Sequence, residues 1–252
     1  FKCDWSSDVC SFLPRRPSFL GVTYSHTSDK PESKLWWNDG IWWADMFDSA
    51  SGQWHIFRLD RSSETWVDTG TQIDPRPETL ADALWDGTHL YVASHVVTIS
   101  TDTETTPSLP ASPAYLYRFS YSPSDGSYTL DPGFPATITT WSSESMTVDK
   151  DSTGVLWATW TQVSGSTSAV YVNSSTPGND ATWGTPFVLP VGSVAHPSPD
   201  DISALVSYRN SYVGVLWSNQ LTGSFYWAVH RDGDPATSWQ ESVALGGSNA
   251  AD

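Results

Sequence analysis

Residues 154–183 read GVLWATWTQVSGSTSAVYVNSSTPGNDATW, and three pieces of this stretch recur along the chain. The first is a strand entered from a turn, Gly154-Val-Leu-Trp-Ala-Thr-Trp. Its counterparts are Gly40-Ile-Trp-Trp-Ala, Gly87-Thr-His-Leu-Tyr-Val-Ala-Ser and Gly214-Val-Leu-Trp-Ser-Asn. The second is an alternating aromatic strand, Ala169-Val-Tyr-Val-Asn-Ser, matched by His55-Ile-Phe-Arg-Leu-Asp, Tyr115-Leu-Tyr-Arg-Phe-Ser and Phe225-Tyr-Trp-Ala-Val-His. The third is a turn rich in Ser, Asp and Gly that runs into an aromatic residue. Thr182-Trp183 is matched there by Thr65-Trp66, Ser127-Tyr128 and Ser238-Trp239.

Two independent anchors give the same period. Phe57, Tyr117, Tyr171 and Trp227 are 60, 54 and 56 residues apart, and Trp66, Tyr128, Trp183 and Trp239 are 62, 55 and 56 apart. A period in the fifties, short strands and aromatic anchors describe a propeller blade of four antiparallel strands. The pairs Asp39-Gly40, Asp86-Gly87, Asp125-Gly126 and Asp232-Gly233 are hairpin signals, because Gly accepts positive φ without strain. No stretch reads as a convincing helix. Glu78 to Trp85 has some helical spacing, but the repeat places a strand there. The expected fold is all-β, a β-propeller with about four blades present, in repeats of roughly 18–75, 76–140, 141–197 and 198–250. The innermost strands are expected to open near Ala81-Asp82, Glu144 and Asp201. Asp252 stands where a fifth would begin, so the chain reads as part of a six- or seven-bladed ring.

Composition narrows the function. The 252 residues carry 28 Asp+Glu against 12 Lys+Arg, a formal net charge of -16. Binding through phosphate neutralisation needs a basic face, so nucleic acid is excluded as a partner, and docking on anionic lipid is disfavoured. No run of 18 apolar residues is present, so no segment is long enough to insert in a membrane as a helix. Fifteen Trp residues can furnish a real core. An acidic, Lys-poor, turn-rich chain suits an exported protein, extracellular or periplasmic, though no signal peptide is visible. Cys3 and Cys10 lie in the opening FKCDWSSDVCSFLPRRP, which differs from everything after it. Residues 1–17 resemble a translated adaptor stretch and are set apart as a non-native or disordered leader. A natural terminus closed by a Cys3–Cys10 disulfide is the competing reading.

The segments Asn173-Ser-Ser-Thr-Pro-Gly-Asn-Asp-Ala-Thr-Trp183 and Arg231-Asp-Gly-Asp-Pro-Ala-Thr-Ser-Trp239 resemble degenerate Asp-box hairpins of the sialidase-like propeller superfamily. Ser122-Pro-Ser-Asp-Gly-Ser-Tyr128 is a weaker version, and Asp149-Lys-Asp-Ser-Thr-Gly-Val-Leu-Trp157 resembles the turn of sensor-type propellers. Residues 18–252 are similar to bacterial secreted propellers of this superfamily. The resemblance implies architecture, since Asp-box turns are structural. The sialidase residues do not carry over. Leu13-Pro-Arg-Arg-Pro17 has the wrong order for the family's arginine motif, and Arg58 and Arg118 are repeat-equivalent rather than members of a convergent trio.

Three candidate sites follow. If the inner strands are placed correctly, Asp82, Glu144 and Asp201 ring one channel mouth, where carboxylates are suited to acid/base work on a glycoside; solvated turn residues are the bland alternative. Ca²⁺ is chemically admissible there but no specific motif supports it, no metal ligand set is assigned and no cofactor is expected. Asp149-Lys-Asp-Ser-Thr-Gly154 opens like an EF-hand, but Trp160 falls where a bidentate Glu is needed, so it reads as a hairpin turn. Second, Trp36, Trp37, Trp42 and Trp43 crowd one hairpin beside Asp39. Strand alternation turns one of each pair away from the other, and flat aromatic faces stack on sugar rings; core packing is the rival reading. Third, His89 and His95 share a face of one strand, with Tyr91 between them, as a lyase pair or as surface residues. Residues 97–113 read as a low-complexity loop able to overhang the channel. The leading expectation is a non-catalytic module that recognises a glycan or polysaccharide. A glycoside hydrolase or polysaccharide lyase is the first alternative, and a structural protein-interaction propeller the second.

Overall fold

The computed structural model describes residues 30–97 and 107–247. The leader, both cysteines and Asp252 lie outside the described residues, as do 98–106 of the low-complexity stretch. Alternating apolar residues and glycine turns produce four consecutive antiparallel sheets. The first blade is β1 (Leu35–Asn38), β2 (Ile41–Asp48), β3 (Gln53–Asp60) and β4 (Thr65–Gln72). The second is β5 (Thr79–Trp85), β6 (His89–Val96), β7 (Pro110–Ser122) and β8 (Ser127–Leu130), with β9 (Ala136–Trp141) also pairing β7. The third is β10 (Thr147–Lys150), β11 (Leu156–Ser164), β12 (Thr167–Thr176) and β13 (Asn179–Trp183), with β14 (Phe187–Val188) also on β12. The fourth is β15 (Ser203–Tyr208), β16 (Tyr212–Asn219), β17 (Ser224–Arg231) and β18 (Gln240–Gly246). Every sheet is a meander in chain order. The only helical element among the described residues is a single 3₁₀ turn, Gly192–Ala195.

The turns explain the meander. Asn38 pairs with Ile41, so Asp39 and Gly40 are a two-residue hairpin with φ of 52° and 73°. Both central residues of such a turn take positive φ, which suits its twist to the strands. The first strands of successive blades lie side by side, β1 beside β5, β5 beside β10 and β10 beside β15. Sheets radiating from adjacent innermost strands are the β-propeller architecture.

Period-2 alternation sends neighbouring residues of one strand into different seams between blades. Leu90 and Val92 of β6 pack against Trp36, Trp43 and Ile56 of the first blade. Tyr91 and Ala93, from the same strand, pack with Leu156, Ala158 and Trp160 of the third. Trp157, one residue from Leu156, faces Val213, Val215 and Trp217 of the fourth. The middle of β11 is therefore buried on both faces. Burying each large side chain contributes roughly 1.5–3 kcal/mol.

One expectation needs correcting. The segment 97–113 is not loop throughout, because β7 begins at Pro110. Ser108 exchanges hydrogen bonds with Val163, donating its amide to the carbonyl and accepting the Val163 amide on Oγ. Leu109 donates its amide to Ser142 Oγ and accepts the Ser142 amide on its carbonyl. Residues 108–109 are thus tied to β11 and to the residue that follows β9.

Candidate functional site

Polar side chains gather where the first two blades meet the start of the third. Glu32 and Lys34 precede β1, Asp45 lies in β2, Asp74 and Arg76 follow β4, Asp82 lies in β5 and His95 near the end of β6. Glu32 is the hub. Its Oε1 accepts from His95 Nε2 at 2.7 Å and from the Met146 amide at 3.0 Å, and its Oε2 faces Lys34 Nζ at 3.2 Å. Lys34 also donates to the Ala81 carbonyl. The other nitrogen of His95 lies 3.0 Å from the Ser143 carbonyl, so both nitrogens face oxygen acceptors. Asp74 is held by Arg76 at 2.6 Å and by the Ser94 hydroxyl at 2.7 Å.

Burial and charge pull these carboxyls apart. Burial works to raise Glu32, but His95, Lys34 and the Met146 amide outweigh it and hold the group at about 2. Asp45 is 2% exposed, and among the described residues its Oδ1 has no hydrogen-bond partner. Burial pushes it up to about 7; Lys34 opposes, and the charges of Asp74 and Glu32 reinforce. Asp82 is also pushed up to about 7 by burial, against the backbone amides it accepts. Such separation can mark an acid and a base, but Glu32, Asp45 and Asp82 are all sealed from solvent.

The three proposed channel-mouth carboxylates are placed differently from one another. Asp82 bridges the innermost strands, accepting the Ser33 amide at 2.6 Å and the Val148 amide at 2.8 Å. Glu144 pairs with Lys30. Asp201 is buried and accepts the amides of Ser198 and Gln220 at 2.7 and 3.0 Å, shaping its own turn. Among the described residues they do not converge as a ligand set. Sequence reasoning missed Glu32 and Lys34, which precede the first strand of the repeat.

The four tryptophans divide by strand alternation. Trp36 and Trp43 are buried, and each packs edge-on against Tyr128 of the second blade. Trp37 and Trp42 are cross-strand partners on the opposite face, 46% and 43% exposed, with ring centroids 5.2 Å apart at 68°. Asp39 beside them accepts the Tyr121 hydroxyl at 2.7 Å.

His89 is half-buried, 4.0 Å from Asp131, with its ring 6.1 Å from that of Tyr91. Tyr91 donates to Asp180 at 2.7 Å and accepts from Lys150 at 3.0 Å. Burial first, then Asp180, pushes its phenol up to about 12 against Lys150. Arg118 reaches both Asp131 and Asp180, tying the second blade to the third. His95 belongs instead to the buried cluster around Glu32. A cleft of 340 Å³ between the third and fourth blades is lined by residues including Lys150, Ser152, Tyr208, Tyr212 and Asp232. Asp151 in the EF-hand-like segment accepts from Thr153, Val155 and Trp157 Nε1, the pattern of a self-contained turn.

Fold and site thus define a β-propeller protein built of four-stranded antiparallel blades. No protein-family model and no curated protein matches the chain. Among solved structures it is similar to prolyl oligopeptidase B from Galerina marginata, at 11% identity and a TM-score of 0.35. That likeness covers 86% of this chain and 34% of the other, so the chain spans about a third of the oligopeptidase's length.

Proposed function

We propose that this propeller is a non-catalytic module that recognises carbohydrate, of the sialidase-like type that its Asp-box-like hairpins resemble, and that it works outside the cytoplasm. The observation that carries this reading is the Trp37–Trp42 pair, two large aromatic rings held in fixed geometry on an exposed sheet face. Large apolar side chains are normally withdrawn from water, and an exposed cluster marks a contact surface. Indole faces stack on the C–H faces of sugar rings. The sequestration of Asp82 and Asp201 in backbone hydrogen bonds speaks for binding over glycoside hydrolysis.

The test is binding of the whole chain to a panel of polysaccharides, with reducing-sugar release measured in parallel. Trp37→Ala with Trp42→Ala should lower affinity by about tenfold or more, given roughly 1.5–3 kcal/mol for burying one large apolar side chain, and leave the melting temperature nearly unchanged. Undiminished binding by the double variant would reject the site. Sugar release abolished by Asp82→Asn would favour the hydrolase instead.

A further inference from the structure

Asp48 ends β2, His55 lies in β3 and Asp68 in β4, all in the first blade. One ligand atom from each lies within 4.8 Å of the other two, and this is the only such trio among the described residues. The hydrogen-bond register accounts for the convergence. His55 lies opposite Met46 on β2 and Gln72 on β4, and the β3–β4 ladder slips between Ile56 and Phe57. The slip gives β4 two extra residues, Thr69 and Gly70, the latter at φ 74°. A bulge of this kind re-aims a side chain, and here the Asp68 carboxylate comes to lie 3.0 Å from His55 Nδ1. The His55 ring is nine-tenths buried. Among the described residues its Nε2 has only Ser51 Oγ, at 3.5 Å, which is too long for a strong hydrogen bond. A nearly buried imidazole with one nitrogen so weakly satisfied, facing a turn that carries a second carboxylate, is poorly explained by packing alone.

We propose that Asp48, His55 and Asp68 form a binding site for a divalent transition-metal ion of the zinc class. One imidazole and two carboxylates suit such an ion, and three protein ligands leave a position for water. Asp48 spends its two oxygens on the amides of Ala50 and Ser51, and Asp68 accepts the Gly70 amide. These bonds fix the carboxylates, and each carboxylate has lone pairs beyond them for a metal. Metal ligands must be deprotonated, so zinc affinity falls with acidification. The site is independent of the Trp37–Trp42 reading.

The experiment is calorimetric titration of the whole chain with zinc chloride at about pH 7.5 and again at about pH 5, below the usual imidazole range. One equivalent is expected at the higher pH, weakened about tenfold or more at the lower. Asp48→Asn and His55→Gln should each remove that equivalent or weaken it by about tenfold or more, leaving any zinc bound elsewhere unchanged. His55 is buried, so if His55→Gln fails to fold, the partly exposed Asp48→Asn decides. Absence of saturable binding in the parent chain, or unchanged stoichiometry and affinity in Asp48→Asn, overturns the site.

Discussion

Asp45 has the least compensated polar atom in the buried cluster, and pH is the way to address it. Asp45 and Asp82, both near 7 when folded, bind a proton more tightly in the native chain than in an unfolded one, where Asp titrates near 3.9. Their contribution to stability is complete below about pH 4 and is withdrawn as pH rises through about 7. Glu32, held at about 2, runs the other way: its contribution is present above the ordinary Glu range and is lost on acidification. Denaturation midpoints should therefore fall between about pH 4.5 and 7.5, and Asp45→Asn should flatten the decline by up to about 1.4 kcal/mol per pH unit. A parent chain whose stability climbs across that window would show both carboxyls ionised in the native state. The same residues mark a limit of reading from sequence. Asp82, Glu144 and Asp201 hold similar positions in their repeats, yet one bridges strands, one meets Lys30 and one closes a turn. Which amide or cation lies opposite depends on the neighbouring blade, and no local pattern encodes that.

Among the elements, the legible strands were β2, β6 and β11, entered from turns at Gly40, Gly87 and Gly154, together with β16 and the alternating aromatic strands β3, β7, β12 and β17. The outer strands β8 and β13 were legible from their aromatic anchors, but the additional partners β9 and β14 were not, because the course of β7 and β12 decides where pairing stops. The trio Asp48, His55 and Asp68 was hidden for a related reason: three strands contribute to it, and the slip in the β3–β4 ladder disturbs simple alternation. The repeat itself conceals one specific fit. Gly214 is the third residue of β16, within the motif shared by all four blades, but here the Trp227 ring lies across it. A Cβ at Gly214 would stand 2.0 Å from two atoms of that ring. Trp227 in turn packs 5.7 Å from Tyr208, which stacks on Tyr212. Gly214→Ala should cost about 1–3 kcal/mol by overpacking, read as a lower melting temperature with a changed tryptophan emission. Gly214→Ala combined with Trp227→Ala should lose less than the two single changes together. Full additivity would mean that ring and glycine are not in contact.

In the whole molecule, stability should be graded from blade to blade. The middle of β11 is buried on both faces, whereas every residue of β18 is exposed. Native-state hydrogen exchange should accordingly find the amides of Trp157 to Val163 among the slowest and those of β18 among the fastest, since local opening follows buried apolar contact. Equal protection of the two strands would argue for one all-or-none unit. The three apolar clusters bear on this, because each serves one pair of adjacent blades and none reaches a third. A void opened at Trp217 is felt by the third and fourth blades, while Trp43 and its surroundings keep their contacts. Damage is thereby quarantined. Sequence drift can rework one seam at a time, with compensation sought only across that seam, and successive blades are free to diverge until little but their spacing and their turns records a common pattern.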